Sequence, residues 1–242
     1  MPAGLRTGPF SAAEALAEGV QRWHLDTANY RRLGRDAYAW AGLADSPELK
    51  LAAALLHLPS TAVFSGLTAA WLHGLDSTFV EPIQVTLPAG HTVKARVGLR
   101  ISRVRLAGLE IAQRGTWRVT SPVRTILDLS RSLPLIDAVV LADVAVHRRL
   151  ATLESLRAAA DLVPGSRNVQ RVRRVLAHVE PKSESHIESR LRMLLVSAGL
   201  PKPQPRSISA IPAACGLPVS TSTIHRTGWR SNTTAVLIAQ AW

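Results

Sequence analysis

Tyr30-Arg31-Arg32-Leu33-Gly34-Arg35-Asp36-Ala37-Tyr38-Ala39-Trp40 sets two short runs rich in aromatic, aliphatic and arginine residues on either side of a Gly-Arg-Asp turn. That pattern predicts a β-hairpin with a basic tip. Upstream, Ser11-Ala12-Ala13-Glu14 has the spacing of a capping box: Ser11 accepts from first-turn amides, Glu14 reaches back, and Gly19 suits the exit. A helix over about Ser11 to Glu18 is expected, then a second short helical stretch over Gln21 to Leu25, which leads through Asp26-Thr27-Ala28-Asn29 into the hairpin. Residues 1–45 therefore read helix, helix, hairpin.

This order is that of a compact winged helix, in which the second helix enters the major groove and the hairpin lies along the backbone. In that arrangement Gln21, Arg22 and His24 face bases, and Arg31, Arg32 and Arg35 face phosphates. The same residues also fit a solvated charged hairpin on an ordinary small domain. Net charge favours the first reading, because at +12 the chain has a polyanion as its first candidate partner. High genomic GC content also yields an arginine- and alanine-rich composition.

With 242 residues of which 47% are hydrophobic, the chain has enough apolar material for a core over most of its length. Cys215 is the one cysteine, which excludes a disulfide framework and a cysteine-based metal site and fits a reducing cytoplasm. No cofactor is expected. Met1 to Phe10 lacks a continuous apolar run and later apolar stretches are short or interrupted, so neither a signal peptide nor a membrane span is expected.

Past the hairpin, Ser46-Pro47 predicts a capped helix and Ser60 a second one ending at His73-Gly74, with Trp71 and Leu75 in the core and His57 and His73 as packing or capping residues. Strands are expected at Ile83 to Leu87, Gly98 to Arg105 and Thr116 to Thr120, forming a small mixed or antiparallel sheet. Ser121-Pro122 opens a helix to about Leu133, Pro134 one to about Arg149, and Thr152 one to Leu162. Asp128, Asp137 and Asp143 on these helices read as surface ion pairs. Val163-Pro164-Gly165-Ser166 marks a domain boundary, beyond which Arg167, Arg171 and Arg174 decorate a helix with Val169, Val172, Val175 and Leu176 on its apolar side. Those arginines are candidate phosphate contacts, or a solvated helix face.

Four stretches, in order, resemble the AbiEi-type antitoxins of type IV toxin–antitoxin systems. They are Phe10 to Leu16, the Arg31 to Trp40 hairpin, Ser65-Gly66-Leu67-Thr68-Ala69-Ala70-Trp71-Leu72-His73-Gly74-Leu75, and Val119-Thr120-Ser121-Pro122-Val123-Arg124-Thr125-Ile126-Leu127-Asp128-Leu129. The resemblance covers about residues 10 to 160 and implies a DNA-binding winged helix, often an autorepressor, followed by an α/β antitoxin-like domain. It also implies a cognate nucleotidyltransferase-like toxin as partner. The recognition segment departs from the pattern at Trp23 and Asp26.

Glu184-Ser185-His186-Ile187-Glu188-Ser189-Arg190-Leu191-Arg192-Met193-Leu194-Leu195 looks like the opening helix of domains related to the very-short-patch-repair endonucleases, of the PD-(D/E)XK class. The resemblance places Glu188 at a position near the metal site in that class. Yet Glu188 is the last acid, and the 54 residues after it contain neither Asp nor Glu. Metal-dependent hydrolysis of DNA needs carboxylates to hold the cations, so Glu188 reads as a vestige, and no catalytic residue or bound metal is expected. Back-translation of Ser220 to Ala235, read from the third base of each codon, permits the peptide DLYYPPYRLAVEYDG, which has the form of the missing nuclease strands. A frameshift between about Pro201 and Ser220 is the corresponding hypothesis, with Pro201, Pro203 and Pro205 in an extended linker and 207–242 a poorly packed tail.

The expected protein is α+β: a winged helix over 1–45, an AbiEi-like α/β domain over 46–163, the helical start of a nuclease-like domain over 164–206, and the out-of-frame tail over 207–242. Its expected function is that of a DNA-binding antitoxin-like or transcriptional regulator, without enzymatic activity. Two alternatives stand beside it: an endonuclease of the very-short-patch-repair-like class, should the C-terminus be a sequencing artefact, and a degraded gene product without activity.

Overall fold

In the computed structural model the described residues are 2–90, 93, 97–162 and 167–200, and they form a mixed α+β protein. The proposed boundary at 163–166, the linker prolines and the tail hypothesis lie outside the described residues.

Helix α1 (Ala12–Ala17) starts at a complete capping box on Ser11 and Glu14, and Gly19, at φ 80°, supplies the left-handed exit. The next turn is a 3₁₀ helix, Arg22–Asp26, not an α-helix. Leu25 is its one buried residue, so no apolar stripe is available to hold further turns against a core. Strands β1 (Tyr30–Gly34) and β2 (Ala37–Trp40) then form the expected antiparallel hairpin, with Asp36 at φ 55° in the turn. Phe10 adds an antiparallel bridge to Tyr38, and Leu5, Phe10, Ala15, Val20, Leu25 and Tyr38 form a small core. Every residue of β2 except Trp40 is buried, because Tyr38 turns toward this cluster while the small Ala37 and Ala39 turn toward helix α2 (Pro47–Leu55).

A five-stranded sheet follows. It consists of β3 (Val63–Phe64), β4 (Ile83–Leu87), β5 (Leu99–Arg103), β6 (Ile111–Arg114) and β7 (Trp117–Thr120), in the order β5-β4-β3-β7-β6. Pairing is mixed: β3–β4 and β6–β7 are antiparallel, β4–β5 and β3–β7 parallel. Here the structure corrects the helix expected from Ser60. Val63 and Phe64 form the central strand, and helix α3 (Gly66–Leu72) begins only after it. A β-branched and an aromatic residue buried on both faces favour strand, and Gly66 at φ 57° makes the corner from strand to helix. A Cβ at Gly66 would come within 1.9 Å of Gln84 Oε1. The sheet also holds β6, which the sequence did not disclose, joined to β7 through Gly115 at φ 56°.

Five helices complete the described chain: α4 (Pro122–Ser132), α5 (Leu135–His147), α6 (Leu153–Asp161), α7 (Arg167–His178) and α8 (His186–Ser197). They share one core, in which Ile126, Leu129, Val139, Leu156, Val172, Leu176 and Met193 are buried together. Helix α5 is buried without interruption from Ala138 to Ala145, because α4 and α7 cover part of its surface and α8 another. Asp143 lies within that run, which corrects its assignment to a surface pair. Its side chain is 1% exposed and meets Arg192 of α8, 5% exposed, at 2.6 Å. Asp128 and Asp137 do form the expected pairs, with Arg124 and Arg131 and with Arg190 respectively. Among the described residues no helix is long and apolar enough to cross a membrane.

Candidate nucleic-acid interface

The hairpin tip is anchored rather than free. Asp36 Oδ1 accepts the Ala12 amide at 3.1 Å, and its carbonyl oxygen lies 2.7 Å from His57 Nε2, so one turn residue ties the hairpin to the start of α1 and to the region after α2. Arg35 at the tip is exposed, as are Arg32 on β1 and Gln21 and Arg22 at the 3₁₀ helix. Arg32 uses Nε to donate to the Gly34 carbonyl at 3.2 Å, which leaves the rest of its guanidinium toward solvent. Arg31 is different: it is half-buried, its Nη2 donates to Leu43 O at 3.2 Å, and its Nε is buried without a partner. Register explains the split, since Arg31 stands opposite Ala39 and Arg32 opposite Tyr38, on the two faces of the ribbon.

His24 is half-buried with Nδ1 lacking a partner, and its ring lies against the exposed Trp23 at a centroid distance of 3.5 Å, with the planes tilted by 31°. Trp23, a departure from the antitoxin pattern in the sequence, is 67% exposed and presents a large flat surface beside the predicted base-facing residues. A cavity of about 640 Å³ opens under the hairpin, lined by Arg31, Arg32, Arg35 and Lys50 together with Asp45 and Glu81. Glu81 pairs with Lys50 at 2.8 Å. Residues 1–45 carry five arginines and five acids, so this module has no excess charge of its own. Any attraction to a polyanion there rests on how the arginines are placed.

The second predicted set lies elsewhere, on α7. Arg167 opens the helix, and its side chain falls outside the described residues. Arg171 is exposed and donates to Leu133 O at 3.0 Å, where it caps the end of α4. Arg174 is exposed one turn further on.

Glu188 has a local structural task. The Glu188 amide donates to Ser185 Oγ at 3.1 Å, and its carboxylate accepts the Glu184 amide at 3.0 Å, so Ser185 and Glu188 cap α8 in the manner of a capping box. Ser-x-x-Glu before an apolar run is the sequence signature of such a cap, independent of any resemblance to a nuclease helix. Among the described residues, no group of three or more His, Cys, Asp or Glu is placed to hold a metal ion.

The two remaining motifs serve packing. Arg124 bridges Glu110 at 2.6 Å and Asp128 at 2.8 Å, and Thr125 bonds Thr120 within the buried start of α4. Burial acts to raise the Glu110 carboxyl, but the Ala107 amide and Arg124 outweigh it and hold it below its usual range. His73 closes α3 with Nε2 2.7 Å from Thr120 O and Nδ1 accepting from Arg114 Nε at 3.0 Å. Burial, with Arg114 nearby, keeps its pKa below 6.5.

Residues 61–178, from the turn before β3 to the end of α7, match the family model of the AbiEi antitoxin C-terminal domain. This match supports the AbiEi-type antitoxin reading of that part of the chain. Two curated relatives from Mycobacterium tuberculosis, the uncharacterized proteins MT2308 (strain CDC 1551 / Oshkosh) and Rv2248 (strain H37Rv), are each 29% identical over 178 residues. That alignment covers 68% of this chain and 61% of each relative, so the chain spans about three-fifths of their length. The crystal structure of the RV2827C protein from Mycobacterium tuberculosis shares the fold, with a TM-score of 0.54 at 15% identity over 78% of this chain and 76% of that one.

Proposed function

We propose that the protein is a DNA-binding, antitoxin-like regulator whose N-terminal module contacts DNA. The observation that carries this reading is the match of residues 61–178 to an antitoxin domain, preceded in the chain by a helix, a short 3₁₀ turn and a hairpin with arginines at its tip. In this reading Arg22, Arg32 and Arg35 contact phosphates, Gln21 and His24 reach base edges beside Trp23, and Arg31 holds the hairpin in place through Leu43. A winged-helix arrangement follows if the 3₁₀ turn lies in the major groove and the hairpin along the backbone. Arg171 and Arg174 on α7 are secondary phosphate contacts. A cognate nucleotidyltransferase-like toxin is the proposed protein partner, and finding a gene for one beside this protein's own gene would support it. The helix from His186 is read as what remains of an endonuclease-like domain, with Glu188 serving α8 as a cap and taking no part in catalysis.

A gel-shift with the DNA upstream of the protein's own gene, repeated at rising salt, tests the proposal. With Arg22, Arg32 and Arg35 of the N-terminal module engaged, log K should fall against log salt with a slope of about −3, steeper where Arg171 and Arg174 also engage, and Arg35→Ala should make that slope shallower by about 1. Binding that ignores sequence, or none at low salt, removes the regulator reading.

A further inference from the structure

The cavity under the hairpin joins cationic, apolar and acidic surface in one space. The hairpin contributes Arg31, Arg32 and Arg35, while α2 and the segments before α2 and β4 contribute Lys50, Asp45 and Glu81. Leu33, Ile83 and Leu99 add apolar surface. Neighbouring residues of a regular strand point to opposite faces, but the pairing of β1 with β2 shifts register between Arg32 and Gly34. Such an irregularity bends the strand and re-aims its side chains, so consecutive residues of β1 reach the same space. At about 640 Å³ the cavity falls within the roughly 300–1,000 Å³ of small-molecule sites.

Charge in the cavity is unbalanced. Arg31, Arg32, Arg35 and Lys50 stand against Asp45 and Glu81, and Glu81 is already taken by Lys50 at 2.8 Å. Among the described residues no carboxylate pairs with any of the three arginines. Arg31 is half-buried, and a cation partly withdrawn from water without a counter-charge gains most from a bound anion. Three guanidiniums offer forked donors that match phosphate oxygens, and a cleft with one sign of charge in excess concentrates anions. Asp45 sets a second requirement. It is exposed and, as a carboxylate, only accepts, so a ligand beside it must present donors. Phosphate oxygens, a flat apolar body and hydroxyl or amino donors occur together in a nucleoside phosphate. We propose that the cavity binds a nucleoside diphosphate, with its phosphates on Arg31, Arg32 and Arg35, its ring on the apolar surface and its donors toward Asp45. Resting on the DNA-binding reading given above, a regulatory consequence follows. Arg32 and Arg35 are assigned to DNA phosphates there, so nucleotide and DNA compete for the same guanidiniums, and each weakens the other by the same factor.

Thermal melting of the full chain with ADP, without divalent cations and at fixed ionic strength, tests the site in the absence of DNA. The melting midpoint should rise with ADP concentration, and adenosine, pyrophosphate and sulfate at the same concentration should each raise it less. Arg35→Ala should weaken ADP binding by about tenfold or more, as loss of a charged hydrogen bond does. Asp45→Asn should weaken ADP but not pyrophosphate, since only the nucleoside end reaches that carboxylate. In gel-shifts ADP should lower the DNA affinity of the parent, and the same ADP concentration should lower it less for Asp45→Asn, whose own DNA affinity should be no weaker. A midpoint indifferent to ADP overturns the proposal, and so does a rise that pyrophosphate or sulfate equals, which marks a general anion effect. DNA that binds but ignores saturating ADP overturns the competition. A chain that binds no DNA removes the regulator reading alone, because the melting series decides the cavity by itself.

Discussion

Asp143 and Arg192 show how much one residue pair decides. Both are buried, and Asp143 also accepts the Glu180 amide at 2.7 Å, so the pair fastens α8 and the segment before it to the centre of α5. Burial pushes the Asp143 carboxyl upward, and Arg192 and the amide oppose that push. Asp143→Ala should cost about 3–5 kcal/mol in urea unfolding, because it leaves a buried guanidinium without its counter-charge, whereas replacing both residues with leucine should cost far less. A single variant as mild as the double one would show that Arg192 finds another partner. His73 supplies a pH signature. Its folded pKa lies below 6.5, so its contribution to stability is complete above that value and is lost as pH falls through it toward the folded pKa. Melting midpoints measured between neutral and mildly acid pH should therefore fall more steeply for the parent than for His73→Gln.

At the scale of elements, the local signals in the sequence proved good where they were self-sufficient. The capping box of α1, Ser46-Pro47 before α2, Ser121-Pro122 before α4 and the Gly34-Arg35-Asp36 hairpin each need only neighbours in the chain, and each stands where expected. Strands β3 and β6 were illegible, because two and four residues show no period and their strand state comes from partners distant in sequence. Of the predicted site residues, Gln21, Arg22, Arg32 and Arg35 are exposed, while Arg31 is committed to the hairpin's own support. Asp36 is the element's anchor. Asp36→Ala removes the bond to the α1 amide and places a residue without a polar side chain at φ 55°, and it should raise amide exchange across β1 and β2 while leaving α4 to α7 unchanged. Equal acceleration everywhere would mean that the hairpin is no separate unit.

For the described molecule as a whole, three hydrophobic clusters differ in size and in how they are joined. Neighbouring residues of α3 connect the two larger ones, Ala69 facing the sheet cluster and Ala70 the helical cluster. The cluster around Phe10 and Tyr38 is smallest and is tied in through Asp36 and His57. Under native conditions the N-terminal module should accordingly open at a lower free energy than β3, β7 and α4, which should exchange together. Hydrogen exchange resolved by segment checks this, and a single shared opening energy would contradict it.

The sequence by itself determined the α+β composition, the capped helix starts, the hairpin and the antitoxin resemblance, because those depend on residue chemistry and short spacing. Only the tertiary structure decided that Val63 and Phe64 form the central strand, that Asp143 is buried against Arg192, and that α8 buries Arg192 while Leu191 and Leu194 stay exposed. Helical periodicity records that a helix has two unlike faces, but which of them meets the protein depends on residues far away in the chain. For α8 it is Asp143, 49 residues before Arg192, that holds this one arginine inside.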